Sequence, residues 1–82
     1  VLVVDDDEDV RRLLREALAA GGYDVHGVAS GEDALRQLTR GDYALVLLDV
    51  VLPGMTGVEV CRHLRAGGQH VPVIMLSARS QE

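Results

Sequence analysis

The chain has 82 residues, 48% hydrophobic and 26% charged, with thirteen Asp and Glu against eight Lys and Arg for a net charge of −5. That length suits one domain or part of one, the composition excludes a disordered chain, and the acidic balance argues against gripping nucleic acid through its phosphates. With no Phe or Trp there are no stacking platforms for single strands, and no apolar run approaches the ~18 residues of a membrane span. Cys61, the single cysteine, forms no internal disulfide, which fits a reducing cytoplasm, and nothing resembles a signal peptide.

Residues 1–4 form a continuous apolar run, the pattern of a strand covered on both faces as in a parallel sheet. Asp5 and Asp6 end it, and Asp7, Glu8 and Asp9 follow as residues suited to cap the next helix and complement its dipole. In that helix Val10, Leu13, Leu14, Ala17 and Leu18 make one apolar stripe at i, i+3, i+4, i+7 and i+8, and Gly21-Gly22 stops it. The second strand, 25–29, is interrupted by His26 and Gly27 and reads as more exposed or nearer an edge.

A second helix starts from Ser30, where Ser30 and Asp33 resemble a capping box with Asp in place of Glu. Its stripe is Ala34, Leu35 and Leu38, and Gly41 ends it. The third strand, 44–48, runs into Asp49. Gly54-Met55-Thr56-Gly57 is a turn, and Thr56 with Glu59 caps a third helix running through Val58, Cys61 and Leu64 to Gly67-Gly68. Cys61 on this stripe reads as packing. Residues 71–76 form a fourth strand, nearly continuous in apolar residues and so expected, like the first and third, to be covered on both faces, and it ends at Ser77. The pairs Tyr23/Asp24 and Asp42/Tyr43 lead into strands, while His26, His63 and His70 lack ligand spacing.

Alternating strands and helices with short connections imply βαβ units and a parallel sheet. Ligands in such sheets bind beyond the carboxyl ends of the strands. If the first and third strands are neighbours, Asp5, Asp6 and Asp49 converge there. Two like charges 4 Å apart repel by about 4 kcal/mol at an effective dielectric of 20, so either a carboxyl takes up a proton or a cation settles among the oxygens. A hard ion such as Mg²⁺ prefers carboxylates, carbonyls and water, and often bridges to phosphate.

Leu2-Val3-Val4-Asp5-Asp6, Leu47-Leu48-Asp49, Leu52-Pro53-Gly54-Met55-Thr56-Gly57 and Val71-Pro72-Val73-Ile74-Met75-Leu76-Ser77-Ala78 resemble the receiver domains of two-component response regulators. The resemblance spans residues 1–82 in order. It implies a flavodoxin-like, doubly wound α/β fold with strand order 2-1-3-4 and the first and third helices on opposite sides of the sheet. By position, Asp49 resembles the phosphoryl acceptor, Asp6 the direct metal ligand, and Asp5 the acidic partner acting through water. Val51 matches the residue whose backbone carbonyl faces the metal. Ser77 matches the hydroxyl that bonds the phosphoryl group and moves on activation, with the Ala78 amide beside it.

The family has five strands, and a lysine ending the fifth contacts the phosphoryl group. Both ends of the sequence read as cut, so four strands and three helices of that fold are expected here, without the lysine, the fifth strand and the last helices. The implied function is a bacterial, cytoplasmic signalling switch. It would be phosphorylated on Asp49 with Mg²⁺ or Mn²⁺, served by a sensor histidine kinase or phosphotransfer protein, and joined to an output domain beyond these residues. No enzyme activity is expected beyond phosphorylation from a donor and loss of the phosphoryl group by hydrolysis. Two other classes stay open: a phosphorylation-independent interaction module, and an aspartate-nucleophile phosphohydrolase of the haloacid dehalogenase type, suggested by Asp5-x-Asp7. An apolar fourth strand with no fifth beside it is also expected to favour self-association.

Overall fold

The computed structural model describes residues 1–76. Its elements alternate as expected: β1 Leu2–Val4, α1 Glu8–Ala20, β2 His26–Val28, α2 Gly31–Arg40, β3 Val46–Asp49, α3 Gly57–Ala66 and β4 Val73–Leu76. All strands are parallel, in the order β2-β1-β3-β4. Val3 is therefore flanked by Gly27 on one side and Leu47 on the other.

Alternation along β1 divides the molecule into two layers. Leu2 and Val4 point to one face, where they join Val46 and Leu48, Ala34 and Leu38 of α2, and Val60 and Leu64 of α3 in a single buried cluster. Each such Val or Leu contributes roughly 1.5–3 kcal/mol relative to leaving it exposed. Val3, fully buried but outside that cluster, faces the other side, where α1 lies over β1 and β2. Helices α1 and α3 thus occupy opposite sides of the sheet.

Three expectations about burial need correction. No residue of α1 is fully buried, and Leu13 of its apolar stripe is 66% exposed. Among the described residues no second helix lies beside α1 on that face, so only the side of the stripe turned to β1 and β2 is covered. Strand β4 is not covered on both faces either, since Ile74 and Met75 are 50% and 37% exposed. In α3 the core face is Gly57, Val60 and Leu64; Val58 is exposed and Cys61 sits half-buried at its flank. The edge position expected for β2 is found.

Helix starts follow their capping residues. The Asp7 carboxylate accepts from the amides of Asp9 and Val10, fixing the start of α1. At α2 only half a box forms: Ser30 Oγ accepts from the Asp33 amide, while the Asp33 carboxylate pairs with Arg36 one turn on. At α3 the box is complete. Thr56 Oγ1 accepts from the Glu59 amide at 3.2 Å, and Glu59 Oε1 accepts from the Thr56 amide at 2.9 Å. Hydrogen bonding to the carboxylate itself, from the Thr56 amide first and the Thr56 hydroxyl second, holds the Glu59 carboxyl below the usual glutamate range.

Thr56→Ala is expected to lower stability by about 1 kcal/mol, read from urea unfolding followed by circular dichroism. The contribution of Glu59 is present above its unfolded value near 4.5 and is lost as pH falls through its lowered folded value. The stability difference between wild type and Glu59→Gln should therefore shrink across that acidic range.

Candidate functional site

Pairing β1 with β3 in the register Val4↔Leu48 brings the two strand ends level, so Asp5 and Asp49 emerge side by side. One carboxylate oxygen from each of Asp5, Asp6 and Asp49 can be chosen so that all three lie within 4.8 Å of one another. Asp5 and Asp49 are only 5% and 4% exposed, whereas Asp6 opens to solvent. The cluster is thus a shallow acidic cup with two walls buried and one wet.

Local hydrogen bonds fix the buried walls. Asp5 Oδ1 accepts from the Asp7 amide at 2.9 Å, and the Asp5 amide donates to the Val28 carbonyl at 3.1 Å. Asp49 Oδ1 accepts from the Val51 amide at 3.1 Å. The Val50 amide donates to Leu76 O, and the Val50 carbonyl accepts from the Gly57 amide at 3.0 Å. Val51 is exposed, and among the described residues no donor is bonded to its carbonyl. Ser77 lies outside the described residues, one position beyond the end of β4.

Burial, ahead of the charges of Asp49, Asp6 and Asp7, pushes the Asp5 carboxyl above the ordinary aspartate value, against the lowering effect of the Asp7 amide. A donor set of three carboxylates suits a small hard dication. Bonds of about 2.1 Å to such an ion set oxygens up to ~4.2 Å apart across an octahedron, so a modest inward movement closes the cup. Asp7 does not take part, because its carboxylate is engaged as the α1 cap. This leaves Asp5 without the second carboxylate that a phosphohydrolase reading of Asp5-x-Asp7 requires.

Gly57 was read from sequence only as part of a turn, yet it shapes the site. A Cβ on Gly57 would lie 2.6 Å from the Asp49 carbonyl oxygen and 2.9 Å from Val50 Cα. Only glycine lets the start of α3 press against the end of β3. The signal was available in the sequence, as a glycine directly after a capping threonine.

A family model described as the response regulator receiver domain matches residues 1–82. The chain belongs to the response regulator receiver domain family. This receiver is 45% identical over 80 residues to the uncharacterized transcriptional regulatory protein YrkP of Bacillus subtilis (strain 168), covering 98% of this chain and 34% of that protein. It is 42% identical over 82 residues to the alkaline phosphatase synthesis transcriptional regulatory protein PhoP of the same organism, covering 100% and 34%. It therefore spans about a third of the length of these curated relatives. Among solved structures, the response regulator TrrA from Thermotoga maritima, crystallised with Mg(2+)-BeF, superposes with a TM-score of 0.89 at 40% identity, covering 96% of this chain and 69% of that one. TrrA has also been crystallised with the histidine kinase ThkA. The receiver fold and the convergence of Asp5, Asp6 and Asp49 agree with the sequence expectation. Among the described residues no helix is long and apolar enough to cross a membrane.

The raised Asp5 carboxyl has a measurable consequence in the absence of metal. The folded receiver holds that proton more tightly than the unfolded chain does. Its contribution to stability is full below the unfolded value near 3.8 and is lost as pH rises through the folded value. At neutral pH with a chelator present, Asp5→Asn should raise the urea midpoint, and the gain should vanish as the pH is lowered to about 3. A midpoint unchanged or lowered at neutral pH would contradict an Asp5 carboxyl raised by burial and by its acidic neighbours.

Proposed function

We propose that this receiver is a phosphorylation-controlled switch in which Asp49 is the phosphoryl acceptor. The observation that carries the reading is the convergence of Asp5, Asp6 and Asp49 within 4.8 Å at the carboxyl ends of β1 and β3. The Asp49 carboxylate attacks phosphorus, forming an acyl phosphate as the bond to the donor's leaving atom breaks, and hydrolysis later returns the carboxylate. Asp6 and Asp49 would bind the cation directly, Asp5 through water, and Val51 through its backbone carbonyl. Mg²⁺, or Mn²⁺ in its place, would offset charge on the phosphoryl oxygens when bound. Ser77, outside the described residues, would donate its hydroxyl to the phosphoryl group.

TrrA's structure with Mg(2+)-BeF supports the choice of ion and acceptor chemistry, and its complex with ThkA supports a sensor histidine kinase, or an equivalent phosphotransfer protein, as donor. The transcriptional regulators it resembles are about three times as long, which supports an output domain outside these residues. A cytoplasmic location accords with this role.

Addition of beryllofluoride and Mg²⁺ should place the phosphate mimic on Asp49, visible as a ¹⁹F signal that Asp49→Ala abolishes. A signal surviving in Asp49→Ala but lost in Asp5→Ala would indicate a phosphohydrolase. No signal with either would indicate a phosphorylation-independent interaction module. Asp6→Ala and Asp49→Ala should weaken Mg²⁺ binding far more than Asp9→Ala, whose carboxylate pairs with Arg12 on the surface of α1.

The 82-residue chain is also proposed to self-associate through β4. Among the described residues its outer edge is unpaired, and Ile74 and Met75 are exposed beside it. Such an edge is a template for another strand. Pro72, which lacks a donor N–H, blunts only its beginning. Sedimentation velocity over a range of concentrations should show a rising weight-average mass, and a constant monomer mass would rule the edge out.

A further inference from the structure

We propose that Arg11 is a positioning residue for the acidic site, fixing the peptide between Asp5 and Asp6 and so directing both carboxylates toward the cation. The inference rests on reading Asp5, Asp6 and Asp49 as a metal centre. Arg11 Nη1 donates to the Asp5 carbonyl oxygen at 2.8 Å. That carbonyl and the Asp6 amide share one planar peptide, so a donor anchored on the oxygen restrains the direction in which the Asp6 side chain leaves the backbone. Together with the bonds to its amide and carboxylate, this third bond holds Asp5 at every polar group it has. Restraint matters here because carboxylates that repel would otherwise swing apart.

The reach of Arg11 depends on β2. Its stem lies across Gly27, where an added Cβ would sit 3.4 Å from Arg11 Cδ and 3.8 Å from Arg11 Cβ. A larger side chain at that position would claim the space the stem occupies. At its base Arg11 is tied into α1, its amide donating to the Asp7 carbonyl at 3.0 Å. Among the described residues no carboxylate lies within ion-pair distance of its guanidinium; the arginine of α1 that makes such a pair is Arg12. Arg11 therefore acts on the site through a backbone carbonyl rather than as a counter-charge.

The two roles predict opposite signs. A bare positive charge near the cup competes with the cation, so its removal should tighten Mg²⁺ binding. Removal of a positioning bond should weaken it, by roughly 10-fold for an outer partner of a metal ligand. The test is isothermal titration of the receiver with MgCl₂, for wild type, Arg11→Met and Arg11→Lys, at a temperature where circular dichroism shows each fully folded. Weaker binding in Arg11→Met, largely recovered in Arg11→Lys with its charged donor on a stem of similar reach, is expected. Should Arg11→Met fail to fold, Arg11→Gln, whose amide is too short to span the distance, is judged by the same criterion. Binding as tight as wild type or tighter in the donor-less variant overturns the proposal while leaving the metal centre intact. No Mg²⁺ binding by wild type overturns the metal-centre reading itself, and the proposal with it.

Discussion

Three mutually repelling carboxylates are held together because β1 and β3 pair in a register that leaves Asp5 and Asp49 level at the strand ends. The energy that enforces this lies elsewhere, in the apolar layer of Leu2, Val4, Val46 and Leu48 beneath α2 and α3. Sliding either strand by one residue would turn its buried side chains to the opposite face. The apolar core therefore sets the separation of the charges, and the site carries its repulsion at the expense of overall stability. A dication bound there would turn that repulsion into attraction and so tie the folding of the receiver to the occupancy of its cup.

Much of this arrangement was legible in the sequence. The acidic pair after residues 1–4 and the lone Asp49 after the third apolar run have no role in a core, so their placement at strand ends pointed to chemistry. Helix boundaries were equally readable, because Asp7, Ser30 and Thr56 announce each start and glycines mark each stop. Burial was read less well. Periodicity shows which residues share a face, but not whether anything lies against it, so Leu13 and Ile74 looked like core and are not. The α3 stripe was misplaced by one position at Val58 and Cys61 though right at Leu64, since Val58 and Cys61 are as apolar as Val60 and only the packing selects between them.

Interactions through backbone atoms were the least legible. The Arg11 bond to the Asp5 carbonyl and the contact between Gly57 and Asp49 leave no mark in an apolar pattern. Sequence advertises side-chain chemistry; the partner of a backbone carbonyl becomes visible only when the chain is folded, and a glycine that is plain in the sequence shows what it makes room for only then. Asp7 illustrates the opposite difficulty. It matched an acidic motif by spacing, yet its carboxylate is occupied by two helix amides and takes no part in the cluster.

Val50 adds a mechanical aspect to the picture. Its amide is bonded to the end of β4 and its carbonyl to the first residue of α3, so the residue after Asp49 ties the end of β3 to two further elements. Loops usually act as springs that absorb the motion of the elements they join. Here the loop is pinned at its first residue, so the end of β4 and the head of α3 are both bonded to the backbone directly after Asp49. Asp49 thus sits beside the joint at which β3, β4 and α3 meet.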